Sequence, residues 1–324
     1  MKIISKKIQF IFLAMIIVVS CGKDFLDQQP IGALDQGLLA NDKGVFGLLV
    51  GSYSSLSGVG SGTLQWASSG DNWVFGSVVG GDANKGSNDG DQGDIQPLQR
   101  FVTATASNPY IRDKWIWNYD AINRCNIVLR QIPLATDITT ANATIYTAEA
   151  RFLRGHYHFQ AKITWKNVPY VSEDNKQVVL GNDTDIWDNI QADFLYAYQN
   201  LPETQPQVGR ANKWAAAAYL AKVYLYRQNW QAANDLLAMI VANGKNSGGT
   251  KYALLPKFHS NFDPALRNTS EAVFQIQMSV DDGSPGNEHG NLGDQLNFPY
   301  GGPIGCCGFF QPSLDLANSF QVNG

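Results

Sequence analysis

A mainly α-helical fold, an array of paired helices carrying long irregular loops and a few short strands, is predicted by three features of this chain. Apolar residues recur every three or four positions over several segments. One segment, 213–240, repeats the large, small and aromatic offsets of two helices packed closely together. Between the helical segments lie stretches rich in Gly, Ser, Asn and Asp that nevertheless carry large aromatics. The 324 residues, 44% of them apolar, suffice for a sizeable core.

The chain begins with Lys2, Lys6 and Lys7, followed by an apolar run from Ile8 to Val19 and then Ser20-Cys21. The run is about a dozen residues, short of the roughly 20 that span a bilayer as a helix, so it reads as a processing segment. Ser20 is small enough for a peptidase to approach, and Cys21 supplies a thiol for acylation. Residues 1–20 are therefore expected to be a signal peptide, and 21–40 a lipidated N-terminus and tether. Acyl chains, at about 0.8 kcal/mol per buried CH₂, would hold the mature protein to a membrane.

Residues 41–57 read as a helix, with Val45, Leu48, Leu49, Ser52, Tyr53 and Leu56 in phase, and Gly58 stops it. From 58 to 108 the chain becomes loop-like. Helical phase returns at 110–132 through Trp115, Tyr119, Ile122, Asn126 and Leu129, and Pro133 ends it. A further helix is expected at 144–165, placing Ala148, Phe152, Phe159 and Ile163 on one stripe. Another is expected at 184–200, with Asp183 and Thr184 as caps.

In 213–240, Leu220, Ala221, Tyr224, Asn229-Trp230, Ala233 and Leu237 stand at the offsets of a tetratricopeptide helix pair. One such unit cannot bury its own apolar face, so the array is expected to extend over the two preceding helices. Residues 271–278 alternate like a strand, 281–311 form a second Gly, Pro and Asn tract, and 313–320 resume helical phase.

The net charge of −4, with no basic run after Lys7, excludes a nucleic-acid-binding surface. No G-x-S-x-G, H-E-x-x-H, C-x-x-C or P-loop occurs. His156 and His158 stand two apart on a helix and cannot chelate together. The four cysteines make no disulfide framework: Cys125 reads as a buried thiol, while Cys306-Cys307 stay open.

Acidic residues crowd the loops at Asp71, Asp82, Asp89, Asp91 and Asp94, and again at Asp281, Asp282 and Glu288. Nothing in their spacing sets a catalytic pair for glycoside hydrolysis. No cofactor is expected; the stretch 82–91 has oxygen donors suited to calcium but lacks the glycine and closing glutamate of an EF-hand, and no metal ligand is assigned. Trp66, Asp71, Asn72, Trp73 and Phe75 combine flat rings with amide and carboxylate groups, as a sugar-binding face requires, and Tyr300 adds a ring from the second tract. These six are the glycan-binding candidates, with loop-pinning the alternative for each ring. Trp115, Trp187, Trp214 and Trp230 sit in helical phase and are assigned to packing.

The chain resembles the SusD/RagB family of nutrient-binding outer-membrane lipoproteins. The resemblance is carried by Ser20-Cys21 with Asp24-Phe25-Leu26-Asp27 and Pro30; by Trp115, Tyr119, Ile122, Arg124 and Asn126; and by 148–154 with Tyr157 and Val168-Pro169. Further carriers are Asp193-Phe194 with Leu201-Pro202, then Gly209-Arg210, Ala217, Leu220-Ala221, 223–225 and Trp230, and finally Pro312-Ser313, Leu314, Phe320 and Gly324. It implies one domain over 41–324, with tetratricopeptide-like helices at about 110–243 and a loop-rich ligand region at 58–108 and 281–311. It also implies a further C-terminal portion beyond these residues. Functionally, it implies a lipoprotein anchored in the outer membrane through Cys21 and facing outside, without enzymatic activity. Such a protein captures an oligosaccharide for a SusC-like TonB-dependent transporter. A peptide-binding member of the family, a lipid-anchored interaction scaffold and a glycoside hydrolase are the competing readings.

Overall fold

The computed structural model describes residues 37, 39–58, 65–177, 179–280, 282–283, 290, 299–302 and 307–320. The signal peptide, Cys21 and the tether up to residue 36 lie outside the described residues, among which no helix is long and apolar enough to cross a membrane.

Helix α1 (Asp42–Ser54) starts where Asn41 Oδ1 accepts the Gly44 amide at 2.9 Å. It gives way to a 3₁₀ turn ending at Gly58, whose φ of +97° is open to glycine, and a Cβ there would lie 2.5 Å from the Ser68 carbonyl. Two short helices, α2 (Gln65–Ser68) and α3 (Ile95–Gln99), lie in the loop region. The long helices follow: α4 (Pro109–Gln131), α5 (Thr140–Trp165), α6 (Trp187–Asn200), α7 (Lys213–Tyr226) and α8 (Trp230–Asn243), with α9 (Leu314–Ser319) near the end of the chain. Asn108, Thr139, Asn212, Asn229 and Ser313 cap their helices through side-chain oxygens, so the starts of α4, α5, α7, α8 and α9 are set by local chemistry.

Each long helix from α4 to α8 packs on the next in sequence, and α1 packs on α4 and α5. This is the stacked array expected from the repeat pattern. Ala216, Ala217, Ala221 and Ala233 are buried to 1% exposure or less, and those small side chains let α7 and α8 approach closely. Phe152, Phe159, Phe194 and Tyr219 interleave between α5, α6 and α7, with Phe194 and Tyr219 stacked at 4.8 Å.

A polar lock is buried in this core. Asp193, fully buried on α6, accepts hydrogen bonds from Arg151 Nε (2.8 Å), Arg154 Nε (2.9 Å), Arg154 Nη2 (2.8 Å) and the Tyr170 hydroxyl (2.9 Å). Arg154, 3% exposed, also reaches Asn126 Oδ1 and the Glu173 carboxylate. His158 donates through Nδ1 to the Arg154 carbonyl and accepts the Val171 amide on Nε2, so it holds the segment after α5 in place. Burial pushes both His156 and His158 down to about 3, and they stand as neutral structural rings.

Three expectations are corrected. Helix α5 starts at Thr140, not Thr144, because Thr139 caps a first turn of polar residues invisible to apolar periodicity. Helix α6 starts at Trp187, and its first amide is taken by Asp185 Oδ1 rather than by Asp183 or Thr184. Residues 271–278 form no strand: among the described residues no neighbouring backbone completes a ladder, and side-chain amides do the bonding, as in the reciprocal pair of Asn268 and Gln277. The paired strands are instead β1 (Ala83–Gly86) and β2 (Phe309–Pro312), antiparallel, with Gly86 opposite Phe309. Cys125 is a buried thiol, pushed up to about 12 by burial, whereas Cys307 is held in a disulfide whose other half lies outside the described residues.

Candidate functional site

The two loop regions expected to bind ligand are one structure. Strand pairing joins 83–86 to 309–312, and a second core forms beside the helical one from Trp73, Val74, Val78, Ile95, Leu98, Tyr110 and Phe309. Gly86 and Gly308 make the close approach workable. Both have positive φ, and a Cβ on Gly86 would lie 2.2 Å from the Gly308 carbonyl.

Trp73 is the pillar of this second core. Only 3% exposed, it donates through Nε1 to the Trp66 carbonyl at 3.3 Å and meets Phe309 and Phe310 edge-on at 6.2 and 5.9 Å. The expectation that its ring offers a stacking face is therefore corrected: both faces are covered by protein. Trp66 is half-buried against the same core. Asp71 accepts the Trp73 amide at 3.2 Å, and Asn72, at φ +56°, turns the chain into a π-helical turn over Val74–Val78.

The remaining candidates divide between two places. Tyr300 is 60% exposed and its hydroxyl lies 2.6 Å from Ser87 Oγ, while its ring covers Gly308 so closely that a Cβ there would come within 2.9 Å. Phe310, half-buried at φ +54°, packs edge-on against Trp73 at the margin of the second core. Phe75 instead leaves the loop toward the helical array, where its ring lies 6.5 Å from that of Trp165. Sequence reasoning missed Phe310 and Ser87.

The 82–91 stretch carries its own cation. Lys85, 3% exposed, donates from Nζ to the carbonyls of Asn88 (2.8 Å) and Asp91 (2.7 Å) and lies 5.3 Å above the Phe309 ring. Two backbone carbonyls of the stretch are directed at this ammonium, while the side-chain oxygens of Asn88, Asp89 and Asp91 accept from backbone amides, Gln96 and Ser87. Among the described residues no group of His, Cys, Asp or Glu is arranged to hold a metal ion. Ser87 in turn donates to Asp91 Oδ2 at 2.9 Å, so Lys85 supports the residue that Tyr300 touches. Lys85→Ala is expected to cost about 1.5 to 3 kcal/mol for the charged hydrogen bonds lost. Hydrogen exchange should then accelerate in 83–91 and 308–311 while α5 and α6 keep their protection.

Three of the loop carboxylates, Asp71, Asp89 and Asp91, are engaged in structural hydrogen bonds. Asp89 accepts Gln96 Nε2 at 2.9 Å, Asp91 accepts Ser87, and Asp71 accepts the Trp73 amide; Asp281 and Glu288 lie outside the described residues. A cleft of about 820 Å³ lies elsewhere: Phe46, Leu49, Tyr53, Val208, Arg210 and Ile276 line it, and none of the six candidates does.

The sequence model of a protein family described as "Starch-binding associating with outer membrane" (SusD-like) matches residues 75–225, from the π-helical turn to the end of α7. SusD-like protein P25 of Formosa agariphila is 28% identical over 197 residues, 58% of this chain and 36% of its own length. A SusD-like protein of Bacteroides ovatus is 34% identical over 141 residues, 40% of this chain and 26% of its own length. The matches thus span roughly a quarter to a half of these curated relatives. Among solved structures, surface glycan-binding protein A from Bacteroides thetaiotaomicron, in complex with laminarihexaose, superposes with a TM-score of 0.72 at 21% identity, covering 87% of this chain and 62% of that one. A laminarin-binding SusD-like protein gives a TM-score of 0.61 at 24% identity, covering 72% of this chain and 50% of that one. These likenesses establish the fold.

Proposed function

Since this chain belongs to the SusD/RagB family, we propose that it is a non-enzymatic glycan-capture protein, lipid-anchored in the outer membrane through Cys21, that passes an oligosaccharide to a SusC-like TonB-dependent transporter. The observation that carries this reading is the joining of two distant loop regions around Trp73, which fixes Tyr300 and Phe310 at the surface of a rigid secondary core. A pyranose ring stacks its C–H face on such rings, and the hydroxyl and amide groups of Ser87 and Gln311 satisfy its hydroxyls. The structural neighbours named for laminarin and laminarihexaose support a glucan as the first ligand to try. The commitment of Asp71, Asp89 and Asp91 to structural hydrogen bonds supports capture without hydrolysis.

Isothermal titration of the purified protein against laminarihexaose, maltohexaose, cellohexaose and xylohexaose tests the reading. Binding of at least one hexasaccharide is expected, with Tyr300→Ala weakening it about three- to tenfold for the loss of one stacked ring. Binding to none of them, together with affinity for oligopeptides, would transfer the ligand class to peptides. Co-purification of a β-barrel transporter with the membrane-anchored protein tests the partner.

A further inference from the structure

A second aromatic face lies apart from Tyr300. Trp115 and Tyr119, one turn apart on α4, have ring centroids 4.6 Å apart; Trp165, the last residue of α5, lies 5.1 Å from Trp115; and Phe75 of the π-helical turn lies 6.5 Å from Trp165. All four rings are half-buried, and Ile116 (41% exposed) and Ile163 (38%) flank them on the same helices. Helical phase assigns Trp115 to packing. Its observed burial, and that of Trp165, is incomplete, in contrast to Trp117, which is 1% exposed on the same helix.

The setting of these rings is fixed. The Tyr119 hydroxyl donates to the Pro169 carbonyl at 2.9 Å, and Lys166, at φ +63°, turns the chain away immediately after Trp165 so that the helix ends on the ring. The nearby cation Lys162 is neutralised by Asp185 at 2.9 Å, so the face does not select a charged ligand on its account. Two amide oxygens on the segments that carry Phe75 and Trp165, Asn72 Oδ1 and Gln160 Oε1, are buried without a hydrogen-bond partner among the described residues, and they lie beneath the surface rather than on the aromatic face.

We propose that Phe75, Trp115 and Trp165 form a second stacking site for a neutral pyranose chain, distinct from the Tyr300 face. Flat, partly exposed rings beside a neutralised cation match the C–H face of a neutral sugar ring better than an anion. The inference rests on the glycan-capture reading and adds the residues of a separate contact.

The test uses whichever hexasaccharide of the panel the wild-type protein binds. Trp165→Ala and Phe75→Ala are each expected to weaken it about three- to tenfold, Trp165→Phe to restore most of the affinity, and Trp165→Ala combined with Tyr300→Ala to be weaker than either alone. Phe75 sits on a loop turn, so its variant keeps the helices intact should Trp165→Ala fail to fold. Binding that stays within twofold of wild type in both Phe75→Ala and Trp165→Ala, or in Phe75→Ala where Trp165→Ala does not fold, overturns the second site and leaves glycan capture standing. Wild-type failure to bind any hexasaccharide overturns the glycan-capture reading itself.

Discussion

Asp193→Ala is expected to destabilise the protein by about 3 to 5 kcal/mol, because it strips a fully buried carboxylate from two guanidiniums and a hydroxyl that have no other partner of equal quality. Arg154 is the group left exposed to the consequence. It is 3% exposed and keeps only Glu173, which is itself partly solvent-accessible, and the neutral Asn126. Burial alone would raise the Asp193 carboxyl, but the two arginines outweigh it and hold it below the ordinary carboxylate range. Its contribution is therefore complete above the unfolded carboxylate pKa of about 4 and is lost as pH falls through the lower folded value. Urea denaturation at pH 7 should show a lowered midpoint with an unchanged slope, and the gap between variant and wild type should shrink below about pH 4. A variant as stable as wild type at pH 7 would show that the lock is replaceable by water.

Most of the helical array was legible because its signals are local. Phase in 110–132 and 213–240, and asparagines ahead of α4, α7 and α8, need no knowledge of distant residues. The expected strand at 271–278 failed for the opposite reason: alternation describes one edge of a ladder, and only another segment can supply the second. The true ladder joins residues more than two hundred positions apart through Gly86 and Gly308, whose role is visible only once their backbones meet. The candidate site shows the same divide. Trp73 and Tyr300 are both aromatics in polar tracts, and composition cannot tell them apart. Trp73 is drawn inward because Phe309 and Phe310 arrive from the far strand to cover it, whereas Tyr300 closes over a glycine and keeps one face in water. Trp115 packs against the helical core as its phase predicts yet stays partly exposed, since helical phase reports which side of a helix faces inward but not where the covering neighbour ends.

Between about pH 7 and pH 9 the wild-type protein is expected to become more stable as pH rises, and Lys114→Met to abolish that gain. Lys114 lies on α4 at 1% exposure with Nζ 4.4 Å from the Trp117 ring. Its ammonium has no hydrogen-bond acceptor or ion-pair partner among the described residues. The groups that face it are Asp71 on the loop, which attracts it from a distance, and His156 on α5, which is neutral. Burial pushes the ammonium down to about 7, and Asp71 offsets this only in part. An unfolded lysine holds its proton up to about 10.4, so between these values the unfolded chain binds more protons than the folded one and stability must increase with pH. At 1.36 kcal/mol per unit, a shift of this size is on the order of 4 kcal/mol across the whole window, and about half to two thirds of it falls below pH 9. Staying below pH 9 keeps small the opposing contributions of Cys125, pushed up to about 12 against about 8.5 in an unfolded chain, and of buried Tyr110 and Tyr157, pushed above the ordinary tyrosine value of about 10; all three act equally in Lys114→Met, so the difference between the two slopes reports the lysine. Lys114→Met keeps the stem packed on Trp117 without a proton to release, so its urea midpoint should be higher at pH 7 and nearly flat to pH 9. Lysine ¹³C NMR offers an independent reading on the wild type: the Lys114 side chain should titrate near neutrality. Equal pH slopes in variant and wild type, with no lysine moving near pH 7, would mean that the ammonium finds solvent and stays charged.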